Sequence, residues 1–306
     1  MSSIERVRTI SGFHKTRQLP SPEHPLISVV DYSAVSILPE YRDKSWVFDF
    51  YLISLKRNIG GTIKYGQQQY DFDEGVMFFI APGQVFSIGR HPDELPGKSG
   101  WMLLVHPDFL WQTSLSKGIK KYDYFGYAIN EALFVSKKEE DTLGGIIENI
   151  RREYHGNIDS FSQHIIISQI ETLLNYADRF YTRQFITRKK ANHQILHALE
   201  ELLNQYLNSD DLLAKGLPTV AYLAGQLHVS PKYLSSLLRV LTGQSAQQHI
   251  HEKLVTKAKE ELSTSDRSVT EIAYALGFEH PQSFSKFFKQ KTSLSPLEFR
   301  KSFKEN

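Results

Sequence analysis

Cysteine is absent from all 306 residues. That excludes disulfide scaffolds, cysteine-ligated zinc fingers, iron–sulfur clusters and any thiol nucleophile. No apolar run approaches the ~18 residues a membrane-crossing helix needs. The first 25 residues carry charges throughout and lack the apolar stretch of a secretory signal. Charge of one sign is scarce too: 36 Lys+Arg stand against 34 Asp+Glu, a net +2. What is present is ordinary for a folded chain, with 41% hydrophobic and 23% charged residues. A cytoplasmic protein of about two domains, at roughly 150 residues per domain, is expected.

The near-neutral total hides an asymmetry. Residues 1–180 hold 19 Lys+Arg against 22 Asp+Glu, residues 181–215 hold 5 against 4, and residues 216–306 hold 12 against 8. A mildly basic last third is compatible with nucleic-acid binding.

The first half reads as strands. WVFDFYLISLK (46–56), GTIKYGQQQYDFD (61–73), VMFFIAPG (76–83) and WMLLV (101–105) are rich in aromatic and β-branched residues and bounded by Gly, Pro or Asp. With no helical pattern between them, they point to an antiparallel barrel or sandwich. From about residue 137 the period becomes helical. Ile146, Ile147, Ile150 and Tyr154 form one stripe, and Ile166, Ile170, Leu173, Leu174 and Ala177 a second. Ile195, Leu199, Leu202, Leu203 and Tyr206 form a third. The first two stripes serve equally well as a dimer interface or as core within one chain.

The last ninety residues contain a repeat offset by 50. SPKYLSSLLRVLTGQSAQQH (230–249) lies over HPQSFSKFFKQKTSLSPLEF (280–299), so that Pro231 matches Pro281, Leu234 Phe284, Thr242 Thr292 and Ser245 Ser295. Each copy spells helix, tight turn, helix. In the second, Ser268-Val-Thr-Glu271 is a capping box, Gly277 supplies a left-handed residue that ends the helix, and Pro281 opens the next one. In the first, Thr219 caps the opening helix, His228 stands where Gly277 does, and Ser230-Pro231 start the second helix. Ala224 and Ala273 mark close helix crossings. The copies are joined by 245–264, with Ile250, Leu254, Ala258 and Leu262 at four-residue intervals. A helix of about 20 residues is ~30 Å long, close to the ~34–36 Å between major grooves on one DNA face.

The closing run SVTEIAYALGFEHPQSFSKFFKQKTSLSPLEFRKS resembles the DNA-binding domain of the AraC/XylS family of bacterial transcription regulators. The resemblance rests on Ala273, Gly277 and Phe278, on the Phe284–Lys289 helix and on the Ser295–Arg300 ending, and it covers about 216–303. It departs from the family pattern at His228 and at Ser235 and Ser236. Helix faces place Leu234, Leu237, Leu238 and Leu241 inward in the first recognition helix and Phe284, Phe287 and Phe288 inward in the second. Lys232, Ser235, Ser236, Gln282 and Lys286 are then expected at base edges, and Arg239 and Lys289 at phosphates, with Ser285 on the same outward face. Any one of these residues alone would read as solvated surface; their duplicated placement favours DNA.

The resemblance implies an N-terminal effector and dimerisation domain, often a cupin-like barrel. GVMFFIAPGQVFSI (75–88) looks like a cupin hairpin. Metal-binding cupins carry a histidine soon after the Pro-Gly, where Phe86 and Ser87 stand here, and His24, His91 and His106 are isolated. No metal and no cofactor are therefore expected. Phe48, Phe50, Phe72, Phe78, Phe79, Phe86 and Trp101 serve as plain core or as the lining of a small-molecule pocket.

The expected fold class is α+β: a cupin-like antiparallel β-barrel (1–140), a packed helical segment (141–185), a helical linker (186–215) and an all-α double helix-turn-helix domain (216–306). The expected function is a non-enzymatic, sequence-specific transcription regulator responding to an unidentified effector. Its expected partners are double-stranded promoter DNA, a second copy of the chain and RNA polymerase, with no membrane. The alternatives are an effector-independent dimeric regulator and a cupin-type enzyme fused to a DNA-binding domain.

Overall fold

The computed structural model describes residues 4–36, 44–58, 64–65, 68–69, 75–87, 97–128, 131–156, 159, 161–209 and 211–304. The chain divides into two compact units, Met1–Thr187 and Arg188–Asn306.

The first unit carries strands β1 (Ile4–Val7), β2 (Ile27–Asp31), β3 (Ser45–Phe48), β4 (Tyr51–Arg57), β5 (Lys64–Tyr65), β6 (Gln68–Gln69), β7 (Gly75–Ile80), β8 (Val85–Ser87), β9 (Ser99–Val105) and β10 (Leu133–Val135). Its helices are α1 (Ile10–Thr16), α2 (Leu115–Gly118), α3 (Lys137–His155) and α4 (Ser162–Thr187). The main sheet has the order β10-β7-β4-β9-β2, antiparallel throughout. A second sheet, β1-β3-β8, contains one parallel pair, β1 with β3, and β5 with β6 forms a short hairpin.

The cupin-like barrel expected from the sequence is not formed: among the described residues the main sheet stays open. Its edges are satisfied by side chains instead of by further strands. On β10, the Phe134 N–H donates to Gln184 Oε1 at 2.8 Å, while Gln184 Nε2 donates to the Ala132 carbonyl at 3.1 Å. Arg183 donates to the Phe134 carbonyl at 2.7 Å. On β2, the Val29 N–H donates to Tyr154 Oη at 3.1 Å. Helices α3 and α4 thus close what another strand would have paired.

The segment 46–56, one strand by composition, is two. Asp49 turns outward, its N–H donating to the Val7 carbonyl at 3.1 Å and its carboxylate accepting from Arg6 Nε at 3.0 Å, so β3 joins the small sheet and β4 the large one. Most of 61–73 lies outside the described residues, as do Phe72 and His91. Pro82-Gly83 makes the expected turn, with Gly83 at φ +78°. The apolar stripes of α3 (Leu143, Ile146, Ile147, Ile150, Tyr154) and α4 (Ile166, Ile170, Leu173, Leu174, Ala177) are buried within the single chain. Of the two roles the sequence left open for them, they serve as core.

The second unit comprises α5 (Lys189–Leu207), α6 (Asp211–Lys215), α7 (Val220–Gln226), α8 (Pro231–Thr242), α9 (Ala246–Thr264), α10 (Val269–Ala275), α11 (Pro281–Thr292) and α12 (Pro296–Lys304). It has two apolar cores. One joins Leu199 and Leu203 of α5 to Leu223, Ala224, Leu234, Leu238, Ala246 and Ile250. The other joins Tyr206 and Leu207 of α5 and Leu212 of α6 to Leu254, Ala258, Leu262, Ile272, Ala273, Phe284 and Phe288. Helices α5 and α9 both run across the two cores. Helix α5 stands where the sequence suggests a linker, yet its apolar face is part of each core.

Candidate nucleic-acid interface

The two helix-turn-helix units match at the level of single hydrogen bonds. Helix α7 ends with the His228 N–H donating to the Gly225 carbonyl at 3.1 Å and the Val229 N–H to Ala224 at 3.0 Å. Helix α10 ends with Gly277 donating to Tyr274 at 2.9 Å and Phe278 to Ala273 at 3.0 Å. Both are Schellman closures around a left-handed residue, with φ of +55° at His228 and +78° at Gly277. Histidine is among the residues that enter this region with least strain, so the first turn keeps its shape without glycine.

Gly277 has a further constraint that His228 lacks. A methyl group on it would lie 2.8 Å from the Leu212 carbonyl oxygen, so the turn packs directly on α6. Gly277→Ala is expected to destabilise the second unit by about 1–2 kcal/mol from the left-handed backbone alone, with the contact to α6 adding to it. Urea unfolding of the purified variant measures this, and an unchanged midpoint would remove the argument.

The opening helices are capped as the sequence indicates. The Tyr222 N–H donates to Thr219 Oγ1 at 3.1 Å. Ser268 and Glu271 exchange both bonds of a capping box, at 2.6 and 3.2 Å. The Ser268 backbone N–H first, and its hydroxyl second, hold the Glu271 carboxyl below its usual range. Each second helix, α8 and α11, has twelve residues and begins with proline. Each ends at a left-handed residue, Gly243 or Ser293, after a threonine whose Oγ1 donates 2.8 Å to the carbonyl four residues back.

Buried faces fix the exposed ones. On α8, Leu234, Leu237 and Leu238 are buried as expected, Tyr233 joins them, and Leu241 is half-buried. Lys232 and Arg239 are exposed, while Ser235 and Ser236 are half-buried. On α11, Phe284 and Phe288 are buried; Phe287 is half-buried, with its ring 5.2 Å from His251 of α9. Gln282, Lys286 and Lys289 are exposed. Ser285 is half-buried, and its hydroxyl donates to the Pro281 carbonyl at 3.1 Å, leaving only its lone pairs for a ligand.

Lys291, absent from the expected set, is exposed in the last turn of α11 but stands about 140–160° around the helix from Lys286 and Lys289, on the side of Phe287. Its charge adds to burial, the larger cause, in lowering the His251 pKa. Arg300, part of the closing motif, points elsewhere: its Nε donates to the Leu262 carbonyl at 3.1 Å near the C-terminal end of α9.

The connecting helix α9 has 19 residues, hence ~28 Å at 1.5 Å per residue. Two duplicated helix-turn-helix units on one rigid connector, each presenting a polar and cationic second helix, define a DNA-binding protein of the double helix-turn-helix class.

Comparison with known proteins agrees. The family described as "Helix-turn-helix domain" matches residues 223–302. The arabinose operon regulatory protein of Salmonella typhimurium is 24% identical over 277 residues, 90% of this chain and 92% of that protein. The raffinose operon transcriptional regulatory protein RafR of Pediococcus pentosaceus is 36% identical over 84 residues, 28% of this chain and 30% of that one. Among solved structures, the C-terminal domain of the two-component response regulator yesN from Fusobacterium nucleatum aligns with 33% of this chain and 96% of its own, at 28% identity and a TM-score of 0.29. Residues 223–302 are thus a helix-turn-helix DNA-binding domain, and the chain is similar over 90% of its length to an arabinose operon regulatory protein.

In the first unit, two of the histidines considered as metal ligands, His24 and His106, have other tasks. His24 Nδ1 accepts from the Leu26 N–H at 3.1 Å, and His106 Nδ1 accepts from Asp108 at 3.3 Å. No group of three or more His, Asp or Glu side chains placed to hold a metal is found among the described residues. No helix among the described residues is long and apolar enough to cross a membrane. Phe79 and Trp101 face away from Phe78: β4 residues alternate between sheet faces, with Ile53 opposite Phe79 and Leu55 opposite Trp101, while Ser54 stands opposite Phe78.

Proposed function

We propose that the second unit lays α8 and α11 into successive major grooves of promoter DNA, and that a small molecule bound in the first unit changes how they engage. Lys232, Ser235, Ser236, Gln282 and Lys286 read base edges, Arg239 and Lys289 hold phosphates, and Ser285 serves as an acceptor only. The observation that carries this reading is the bond-for-bond duplication of the turn, cap and proline start around two outward polar faces. The reading is of a non-enzymatic cytoplasmic regulator acting as a homodimer. Because the α3 and α4 stripes are consumed within one chain, pairing would use other surfaces. The regulatory names of its relatives support the absence of an enzymatic role.

Lys286 lies one turn after Gln282 on the face opposite Phe284 and Phe288, and Lys289 lies nearer the groove wall. Losing a base contact costs ~1–3 kcal/mol at one position, whereas losing a phosphate contact weakens all sequences and lowers the salt slope by about one. Lys286→Ala should therefore relax preference at one or two adjacent base pairs. Lys289→Ala should weaken specific and random DNA alike, with a shallower dependence of log K on log salt. Gel-shift titrations of the full chain at several salt concentrations, on a selected site and on scrambled DNA, test this. The assignment fails if Lys286→Ala leaves the specific-to-random ratio intact while Lys289→Ala collapses it.

A further inference from the structure

The connector α9 carries two histidines two positions apart, so their side chains leave the helix about 200° from one another. Each meets a different recognition helix. His249, half-buried, meets α8, its Nε2 lying 2.9 Å from Thr242 Oγ1. His251, half-buried, meets α11, with its ring centroid 5.2 Å from that of Phe287. Ile250 between them is fully buried in the first of the two cores. The pair is peculiar to the first copy of the repeat, since Phe299 and Lys301 stand at the matching positions of the second.

The two rings differ in what a proton does to them. The Thr242 hydroxyl donates to the Leu238 carbonyl at 2.8 Å, so its oxygen can only accept from His249. His249 Nε2 therefore carries a hydrogen in the neutral ring and in the charged one, and this bond survives protonation. The charges acting on His249 are Glu252 and Lys253 of α9 and Glu200 of α5. His251 is the reverse case. Its Nε2 lies 3.0 Å from Gln247 Nε2, and an amide nitrogen only donates, so this ring nitrogen accepts and carries no hydrogen. A proton there sets donor against donor. From α11 the ring meets Phe287 and the Lys291 charge, and from α9 Gln247, with no acidic group acting in compensation. Burial first, and Lys291 second, hold its pKa below the usual 6.5.

We propose that His251 is a positioning residue for the second recognition helix, and that one proton on its Nε2 loosens α11 from the connector while His249 keeps α8 in place. Sequence-specific DNA binding then weakens on acidification through the second helix-turn-helix alone. This rests on the DNA-binding reading above and adds a pH response to it. With α11 packed, the ring holds a proton less tightly than a free histidine does. The packed arrangement is therefore fully favoured above the free value of 6.5 and loses ground as the pH falls below it, toward the lowered value.

The test measures binding of the full chain to a selected DNA site and to scrambled DNA by fluorescence anisotropy. The ionic strength is fixed and the pH runs from about 7.5 to about 5.5, across the titration range of histidine. The specific-to-scrambled ratio should fall about three- to tenfold, the effect of one lost hydrogen bond. Far-UV circular dichroism should stay constant over the range. His251→Gln stays neutral and can still accept from Gln247, so it should keep its preference for the selected site at every pH. His249→Gln should show the same fall as the unaltered chain. A ratio that stays flat in the unaltered chain, a fall that persists in His251→Gln, or a fall that tracks lost helicity would overturn the role of His251. Each of these leaves the DNA-binding reading intact. No preference for the selected site at any pH would remove that reading itself.

Discussion

A fragment of residues 188–306 is expected to fold and bind DNA, whereas one of residues 216–306 is expected to unfold. The shorter piece contains both helix-turn-helix repeats and satisfies the sequence repeat completely. It lacks Leu199, Leu203, Tyr206 and Leu207 of α5 and Leu212 of α6, all buried. It also loses the hydrogen bond from Tyr206 Oη to the Gly216 carbonyl at 3.0 Å. Burying an apolar side chain is worth about 1.5–3 kcal/mol, so the five together stabilise by roughly 7–15 kcal/mol on the same scale. A domain's whole stability is only about 5–15 kcal/mol. Circular dichroism melts and gel shifts of the two fragments decide the matter. A cooperative melt and DNA binding by 216–306 would show that α5 is a linker after all.

Gln184→Leu carries the second large effect. Gln184 is fully buried, and its two hydrogen bonds satisfy the Phe134 N–H and the Ala132 carbonyl on the open edge of the main sheet. Leucine fills the volume but leaves both backbone groups buried and unpaired. Each orphan costs about 1–3 kcal/mol, so the variant should lose roughly 2–6 kcal/mol. At about 2–4 °C per kcal/mol the first unit's Tm should fall by roughly 4 °C or more. Thr182→Ala, on the same helix, removes only an exposed bond to the carbonyl of Asp178, and serves as the control. Calorimetry of the full chain resolves the two cases. A Tm equal for both variants would show that water or a shifted strand replaces the glutamine.

The candidate interface was legible in the sequence because its determinants are local. Ser268 and Glu271, Ser230 and Pro231, and Thr242 and Thr292 act within four residues of themselves, so composition at fixed spacing reports them. Their duplication turned weak local signals into a strong one. What spacing could not report was the state of each polar side chain: Ser285 back-bonds to its own helix, and Arg300 serves α9.

By itself, then, the sequence determined the helices of the second unit, their caps, their turns and the inward faces that leave Lys232, Arg239, Lys286 and Lys289 outside. The tertiary structure alone decided three things. It split 46–56 at Asp49 because Val7 and Arg6 capture that residue from a distant strand. It made α5 part of both DNA-binding cores, because an amphipathic stripe records that a face is buried but not against what. It left the main sheet open, because the groups that finish its edges, Gln184 for β10 and Tyr154 for β2, come from helices 50 and 125 positions away along the chain. Local periodicity carries no trace of a partner at that distance.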